Sequence, residues 1–191
     1  SWPEIRYGTM NDLYYQHIGE TLWGRDSARS IFDETGSVRR FSPGGFTGWF
    51  EGLSDYEIAQ CSQSCSDYAP QGFQVWGLPL GAESVVRDMT RGDYLLMLES
   101  THFRYVGRIV HRFGTPSKLF SEKMWGEHRF PIVVWLTGKA ISYYWDNFVR
   151  DFNYDTNYDW KKLHGRTNKV KINRVAESSF GDVRTWYDQL S

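Results

Sequence analysis

Two tryptophans in this sequence each precede a glycine at the edge of an apolar segment, a setting that suits the binding of a flat ring. Trp76 lies in residues 73–79 (FQVWGLP), a strand-like run that stops at a glycine and a proline. Trp125 lies just before Gly126, ahead of the apolar residues 130–136. Stacking of a nucleobase on one aromatic face contributes about 1 to 3 kcal/mol, and a glycine lets a ligand approach the backbone closely. The pair predicts two walls of an aromatic cage, with a core tryptophan at a strand end as the alternative for each.

A second group of residues has the charge to bind phosphate. One stretch of the chain carries six cations and no acid: Lys161, Lys162, Arg166, Lys169, Lys171 and Arg174. The net charge of the whole chain is only −1, which argues against a highly basic protein that binds nucleic acid regardless of its sequence. The stretch indicates either a local phosphate-binding surface or a solvated basic face. Two further cations, Arg104 and Lys123, are expected in loops near the mouth of the cage.

A weaker pattern points to a different chemistry. Asp159 and Lys161 form an Asp-x-Lys element with Asp155 upstream, as in some magnesium-dependent nucleases that hold a metal and activate water. A nuclease is therefore kept as the alternative of another class. The two cysteines, Cys61 and Cys65, lack a second ligand pair, and the five histidines lack ligand spacing, so we predict no metal site, no cofactor and reduced thiols.

The composition favours one domain, because the 191 residues are 40% hydrophobic and 17% aromatic. The chain has no apolar run long enough for a bilayer and no signal-like start, which predicts a cytoplasmic protein. Periodicity predicts helices at 83–89, 139–150 and 180–190 and strands at 94–99, 105–113, 130–136 and 169–173. The expected fold is α+β, a small curved or barrel-like mixed β-sheet with flanking helices. Residues 1–70 are expected to be an N-terminal extension packed on a domain of residues 71–191.

Four segments in order carry a resemblance to a known family. Residues 75–79 (VWGLP) resemble the "VWST" or "VWATP" segment of YTH domains, and residues 96–110 (LMLESTHFRYVGRIV) resemble "IFSVRESGKFQGFARL". Residues 121–135 (SEKMWGEHRFPIVVW) are similar to "SAKMLGGVFKIDW", and residues 169–177 (KVKINRVAE) to "KPVKIGRDGQEI". The chain thus resembles the YTH and EVE modules of the PUA-like superfamily. The spacing of the "LWG…FP" type in this chain is also similar to that of EVE-type modules. Such modules occur as N-terminal DNA-specificity domains of McrB-like modification-dependent restriction proteins.

The resemblance implies roles for particular residues. YTH domains place their first cage tryptophan where this chain has Trp76 and an apolar cage wall where it has Trp125. Another cage tryptophan of the family falls in a loop that here contains Phe113 and Phe120, the two candidates for the third wall, of which Phe120 is the one assigned to the cage. By the same resemblance, the backbone amide of Gly77 would donate to the edge of the base. Neither of these phenylalanines is the tryptophan of the family, and this departure indicates a different base.

The resemblance also implies a target and partners. It predicts a non-enzymatic reader of a methylated base, which in duplex DNA must leave the stack at a cost of a few kcal/mol. The YTH-like signature favours 6-methyladenine, followed by 5-methylcytosine or 5-hydroxymethylcytosine. Lys171 and Arg174 would then bind phosphates beside the flipped nucleotide. GTPase and nuclease subunits of a restriction system are the expected partners, and a YTH-type reader of 6-methyladenine in single-stranded RNA is the alternative.

Overall fold

A computed structural model describes residues 11–154, 166–171 and 178–191. Six strands form one sheet in the order β2-β5-β4-β3-β1-β6. The strands are β1 (Leu13–Ile18), β2 (Gln74–Leu78), β3 (Tyr94–Glu99), β4 (His102–Arg112), β5 (Ile132–Tyr144) and β6 (Thr167–Lys169). β1 runs parallel to β3, whereas the pairs β2–β5, β5–β4, β4–β3 and β1–β6 are antiparallel.

Helices pack on both faces of the sheet. They are α1 (Glu20–Ser30), α2 (Asp55–Tyr68), α3 (Glu83–Asp88), α4 (Lys118–Trp125), α5 (Trp145–Phe152) and α6 (Val183–Gln189). Side chains that cap helix N-termini explain where three of them begin: the Ser54, Ser117 and Asp182 oxygens accept from the amides of Glu57, Phe120 and Thr185. No helix of the described residues combines the length and the apolar character that crossing a membrane requires.

The sheet is strongly curled. β2 and β1 are separated by three strands in the sheet order, so in a flat sheet they would be about 19 Å apart. Yet the Trp76 Nε1 atom on β2 donates a hydrogen bond to the Gln16 Oε1 atom on β1 at 2.6 Å. The inner face of this half-barrel therefore encloses a cluster of buried side chains from strands, α1 and α3, which we call the inner cluster. Its members include Tyr14, Ile18, Trp23, Trp76, Leu78, Val86, Leu95, Met97, Tyr105 and Ile109.

Two further clusters cover the outer face. One lies under α5 and α6 and includes Tyr15, Leu96, Phe103, Trp145, Phe148, Phe152 and Trp186. The other lies under α2 and α4 and includes Phe46, Cys61, Phe73, Phe113, Phe120, Trp125 and Trp135. The alternation of side chains along each strand sorts neighbouring residues between the inner and outer faces.

The predicted helix at residues 139–150 is wrong in its first half. β5 continues to Tyr144, and α5 begins at Trp145. Ile141, Tyr143 and Trp145 all enter the outer cluster while Tyr144 is 51% exposed, which is the period of two expected for a strand. Close pairing with β4 fixes this conformation. Gly138 lies opposite Gly107, and a Cβ atom at position 138 would collide with the Val106 carbonyl oxygen.

The structure also differs from the prediction that residues 1–70 form an N-terminal extension packed on a domain of residues 71–191. β1 lies between β3 and β6 inside the sheet, and its partners on β3 are 81 residues away in the sequence, as in Leu13 opposite Tyr94. Parallel pairing over this distance leaves no local pattern in the sequence. Among the remaining predictions, α3, β3, β4, β5 and α6 overlap the expected helices and strands, whereas β6 shares only Lys169 with the strand predicted at 169–173, whose last two residues lie outside the described ranges.

Candidate nucleic-acid interface

Trp76 occupies the third position of β2 and points to the inner face. Its side chain is only 4% exposed. The indole N–H is satisfied by the Gln16 Oε1 atom, and its ring lies 5.6 Å from the ring of Trp23 on α1. Trp76 therefore links β2, β1 and α1 through buried contacts.

Trp125 is the last residue of α4. The helix ends there because Gly126 adopts a left-handed conformation with φ 78° and its amide donates to the Glu122 carbonyl oxygen at 2.8 Å. The side chain is 2% exposed, and its Nε1 atom donates to the Ser30 Oγ atom at 3.2 Å. The ring lies directly over Gly77, where an added Cβ atom would collide with it. Gly77 thus serves the packing of an indole in this structure.

The structure brings the four predicted cage residues together, but as packed side chains. The rings of Trp76 and Trp125 meet edge to face, 6.3 Å apart at an interplanar angle of 70°. Phe120 is fully buried and lies 5.9 Å from the Trp125 ring. Two rings in contact at this angle do not sandwich a base, so stacking on both would need a rearrangement. The assignment of the cage to these residues stays a prediction.

Three of the predicted phosphate-binding cations lie on or beside the edge strand β6. Arg166, Lys169 and Lys171 are all exposed. The Lys169 Nζ atom is 3.4 Å from the Asp12 Oδ2 atom and stands 6.0 Å from the centre of the Tyr14 ring. Lys161, Lys162 and Arg174 lie outside the described residues.

Arg104 and Lys123 occupy different parts of the surface. Arg104 lies near the start of β4, with its guanidinium 3.6 Å from Glu99. Glu99 is the partner of Ile18 at the end of β1, and Thr167 pairs with Gln16 two residues earlier. Lys123 instead lies on α4, with its Nζ atom 5.8 Å from the centre of the Trp49 ring. The register thus places Arg104 and Arg166 toward the same end of the sheet.

A cleft of about 380 Å³ separates β6 from the connection that follows β2. Its lining residues are Pro79, Gly81, Ala82, Ser84, Val85, Arg166, Thr167 and Asn168. Sequence reasoning selected Arg166 but missed Thr167 and Asn168. The signal available in the sequence was their position in the basic stretch. Thr167 and Asn168 lie between Arg166 and Lys169, and their side chains can form hydrogen bonds.

A second cleft of about 370 Å³ lies between α2 and the end of β4. It contains a Cys61–His111 pair, with the Sγ and Nε2 atoms 3.4 Å apart. Burial raises the pKa of the Cys61 thiol to about 11 and lowers the pKa of the His111 imidazole to about 4. Both groups are neutral at pH 7, so the pair lacks the thiolate that a cysteine nucleophile needs.

The residues of the predicted nuclease alternative, Asp155, Asp159 and Lys161, lie outside the described residues. Within the described ranges, no three His, Cys, Asp or Glu side chains are grouped so that they could hold a metal ion. Cys61 and Cys65 are buried free thiols.

Comparison with known proteins gives a match in fold. No protein-family model matches the chain, and no curated protein matches it. Among solved structures, it resembles the N-terminal domain of Thermococcus gammatolerans McrB bound to m5C DNA, with a TM-score of 0.56 and 13% sequence identity. The match covers 87% of this chain and 94% of that one. At this identity the likeness is one of fold, and it confirms the expected α+β class with a curled sheet and flanking helices.

Proposed function

We propose that this domain binds DNA that carries a methylated base and reads that base after it has left the duplex stack. The observation that carries the proposal is the likeness of 87% of the chain to a domain that was solved in complex with m5C DNA. The edge of the curled sheet carries an open cleft, which suits a single extruded nucleotide better than a duplex.

The charge distribution supports DNA as the partner. Arg166, Lys169 and Lys171 project from one edge of the sheet, while the whole chain has a net charge of −1. A local cationic edge on a nearly neutral protein gives a modest number of phosphate contacts. Affinity should then depend on the base as well as on the backbone.

We propose that the domain is a reader without catalytic activity, in which Trp76, Trp125, Phe120 and Gly77 form the apolar surroundings of the base. The YTH-like segments favour 6-methyladenine, and the ligand of the McrB domain favours 5-methylcytosine. By analogy with a restriction system, a GTPase and a nuclease would act on the DNA that this domain selects. Single-stranded RNA with 6-methyladenine is the competing target, because a base pocket does not test the sugar.

A binding panel tests the proposal. Duplexes of one sequence would carry cytosine, 5-methylcytosine, 5-hydroxymethylcytosine, adenine or 6-methyladenine at one position, and a single-stranded RNA would carry 6-methyladenine. Burial of one methyl group contributes about 0.8 kcal/mol, or roughly fourfold in affinity. We expect one modified duplex to bind at least that much more tightly than its unmodified form in fluorescence anisotropy. Equal affinity for all duplexes would overturn the proposal, and tightest binding to the RNA would replace DNA by RNA.

A further inference from the structure

The cleft beside β6 lies where the half-barrel is open. β2 and β6 are the two edge strands of the sheet, and the cleft lies between β6 and the residues that connect β2 to α3. Its volume of about 380 Å³ is near the lower end of the range of about 300 to 1,000 Å³ that is usual for small-ligand sites. One nucleotide would fit such a space, whereas a duplex would not.

Thr167 gives this cleft an unusual chemical feature. The residue is 7% exposed, and its buried Oγ1 atom has no hydrogen-bond partner among the residues that the structure describes. A buried hydroxyl without a partner destabilises the free protein, since it has lost its water and gained nothing in return. Such a group in a ligand-sized cleft is placed to bond with a ligand instead.

The register of β6 connects Thr167 to the inner face. Thr167 is the antiparallel partner of Gln16, and directly paired residues project to the same face of a sheet. The Gln16 Oε1 atom accepts from the Trp76 indole on that inner face. The Thr167 side chain therefore projects to the same face of the sheet as Gln16 and Trp76, although neither of these is among the described residues that line the cleft.

The other lining residues complement a nucleotide. Ala82 and Val85 supply apolar contact, and Arg166 on the rim is the one charged residue among the described residues that line the cleft. A guanidinium can bind a phosphate through two hydrogen bonds. With no carboxylate among the described lining residues, the cleft is suited to a base that carries its own phosphate.

We propose that this cleft is the subsite that reads the polar edge of the extruded base, with the Thr167 hydroxyl bonding to that edge and Arg166 contacting the adjacent phosphate. This inference rests on the proposed function and names the residues that would carry base recognition there. It assigns the polar edge to Thr167, separately from the aromatic surroundings formed by Trp76 and Trp125.

The test compares Thr167→Val, which replaces the hydroxyl by a methyl group of similar size, with Thr167→Ser, which keeps the hydroxyl. We expect Thr167→Val to bind the preferred modified duplex about 3- to 10-fold more weakly, the equivalent of one hydrogen bond. The melting temperature of this variant should equal or exceed that of the wild type, because the unpartnered hydroxyl is gone. Thr167→Ser should bind within about twofold of the wild type. Unchanged affinity in Thr167→Val, or an equal loss in Thr167→Ser, would overturn the inference.

A duplex with an abasic site at the target position isolates the base contact. If Thr167 reads the base edge, wild type and Thr167→Val should bind this duplex equally, since the partner of the hydroxyl is missing. An undiminished difference would overturn the inference, because Thr167 would then contact the backbone. A wild-type chain that shows no preference in the same assay for a modified duplex over its unmodified form would overturn the proposed function itself. Such a preference combined with an unaffected Thr167→Val would overturn the subsite alone.

Discussion

The inner and outer faces of the curled sheet are packed by different rules. The outer face carries aromatic clusters under helices, such as the Phe73 and Trp135 rings, which stack 4.2 Å apart. The inner face mixes apolar side chains with buried hydrogen bonds: Trp76 donates to Gln16, and the Tyr105 hydroxyl donates to the Gln74 Oε1 atom at 2.7 Å. A dry cluster contributes stability, whereas a face with placed polar groups can distinguish ligands. We therefore propose that the outer cluster under α5 and α6 serves stability, and that recognition belongs to the inner face together with Trp125, whose ring reaches Trp76 from the cluster under α4.

The largest expected effect is on the outer face. Phe148 is a residue of α5 that is fully buried among other aromatic rings, so Phe148→Ala should lower the free energy of unfolding by about 3 to 5 kcal/mol. Urea denaturation measures this loss, and Phe148→Leu is the control that keeps most of the volume. DNA affinity of the folded fraction should not change. A specific loss of affinity would break the assignment of the outer face to stability.

The second-largest expected effect is a pH dependence of the free energy of unfolding, which arises from His111 on the outer face. His111 lies beside Cys61, Arg91 and Arg112, and burial followed by the two arginine charges lowers its pKa from 6.5 to about 4. The unfolded chain then binds a proton that the folded chain does not, so stability is complete above pH 6.5 and falls as the pH drops toward 4. The upper bound on this loss is about 3 kcal/mol. Urea titrations at several pH values should show the loss, and His111→Gln should remove most of it.

The aromatic cage gives an intermediate effect on binding. Trp125→Ala should weaken binding to the preferred modified duplex by about 1 to 3 kcal/mol if the base stacks on this ring. Because the ring is buried against Gly77 in the free protein, a loss of stability will accompany it. Trp125→Phe is the control that keeps an aromatic face. If affinity per folded molecule is unchanged in both variants, Trp125 belongs to the core and the cage prediction fails.

A double-mutant cycle tests the polar character of the inner face. Trp76→Phe leaves the buried Gln16 oxygen without its 2.6 Å donor, which should destabilise the fold by about 1 to 3 kcal/mol. Adding Gln16→Leu removes the orphaned group and should recover much of that loss. Additive losses in thermal denaturation would show that the hydrogen bond contributes little, and the contrast between the two faces would weaken.

The smallest effect per residue concerns the cationic edge. Arg166→Gln combined with Lys171→Gln should weaken binding to modified and unmodified duplexes alike. The slope of log affinity against log salt should become shallower by about the amount expected for two lost phosphate contacts. Arg150→Gln on α5 is the matched control, since Arg150 is exposed beside Asp151 on the outer face. An unchanged salt slope would exclude β6 as the phosphate-binding edge.

Local patterns predicted much of the fold. α3 was located from helical spacing, and β3 was located from a short apolar run that follows the Gly92-Asp93 turn, because both signals depend on residues a few positions apart. The same reasoning failed between Ile141 and Tyr144, because the apolar positions of so short a segment fit both the helical period and the strand period of two. Pairing of Gly138 with Gly107 decided in favour of the strand, and that contact is not local.

The sequence alone determined the α+β class, the proximity of Trp76 and Trp125, and the cationic character of the edge around β6. Only the tertiary structure decided that both tryptophans are buried, that β1 lies inside the sheet, and that Thr167 holds an unpartnered hydroxyl in a cleft. The physical reason is the range of the interactions. Strand and helix periods depend on neighbouring residues, whereas burial and hydrogen-bond satisfaction depend on segments that the curl of the sheet brings together from distant parts of the chain.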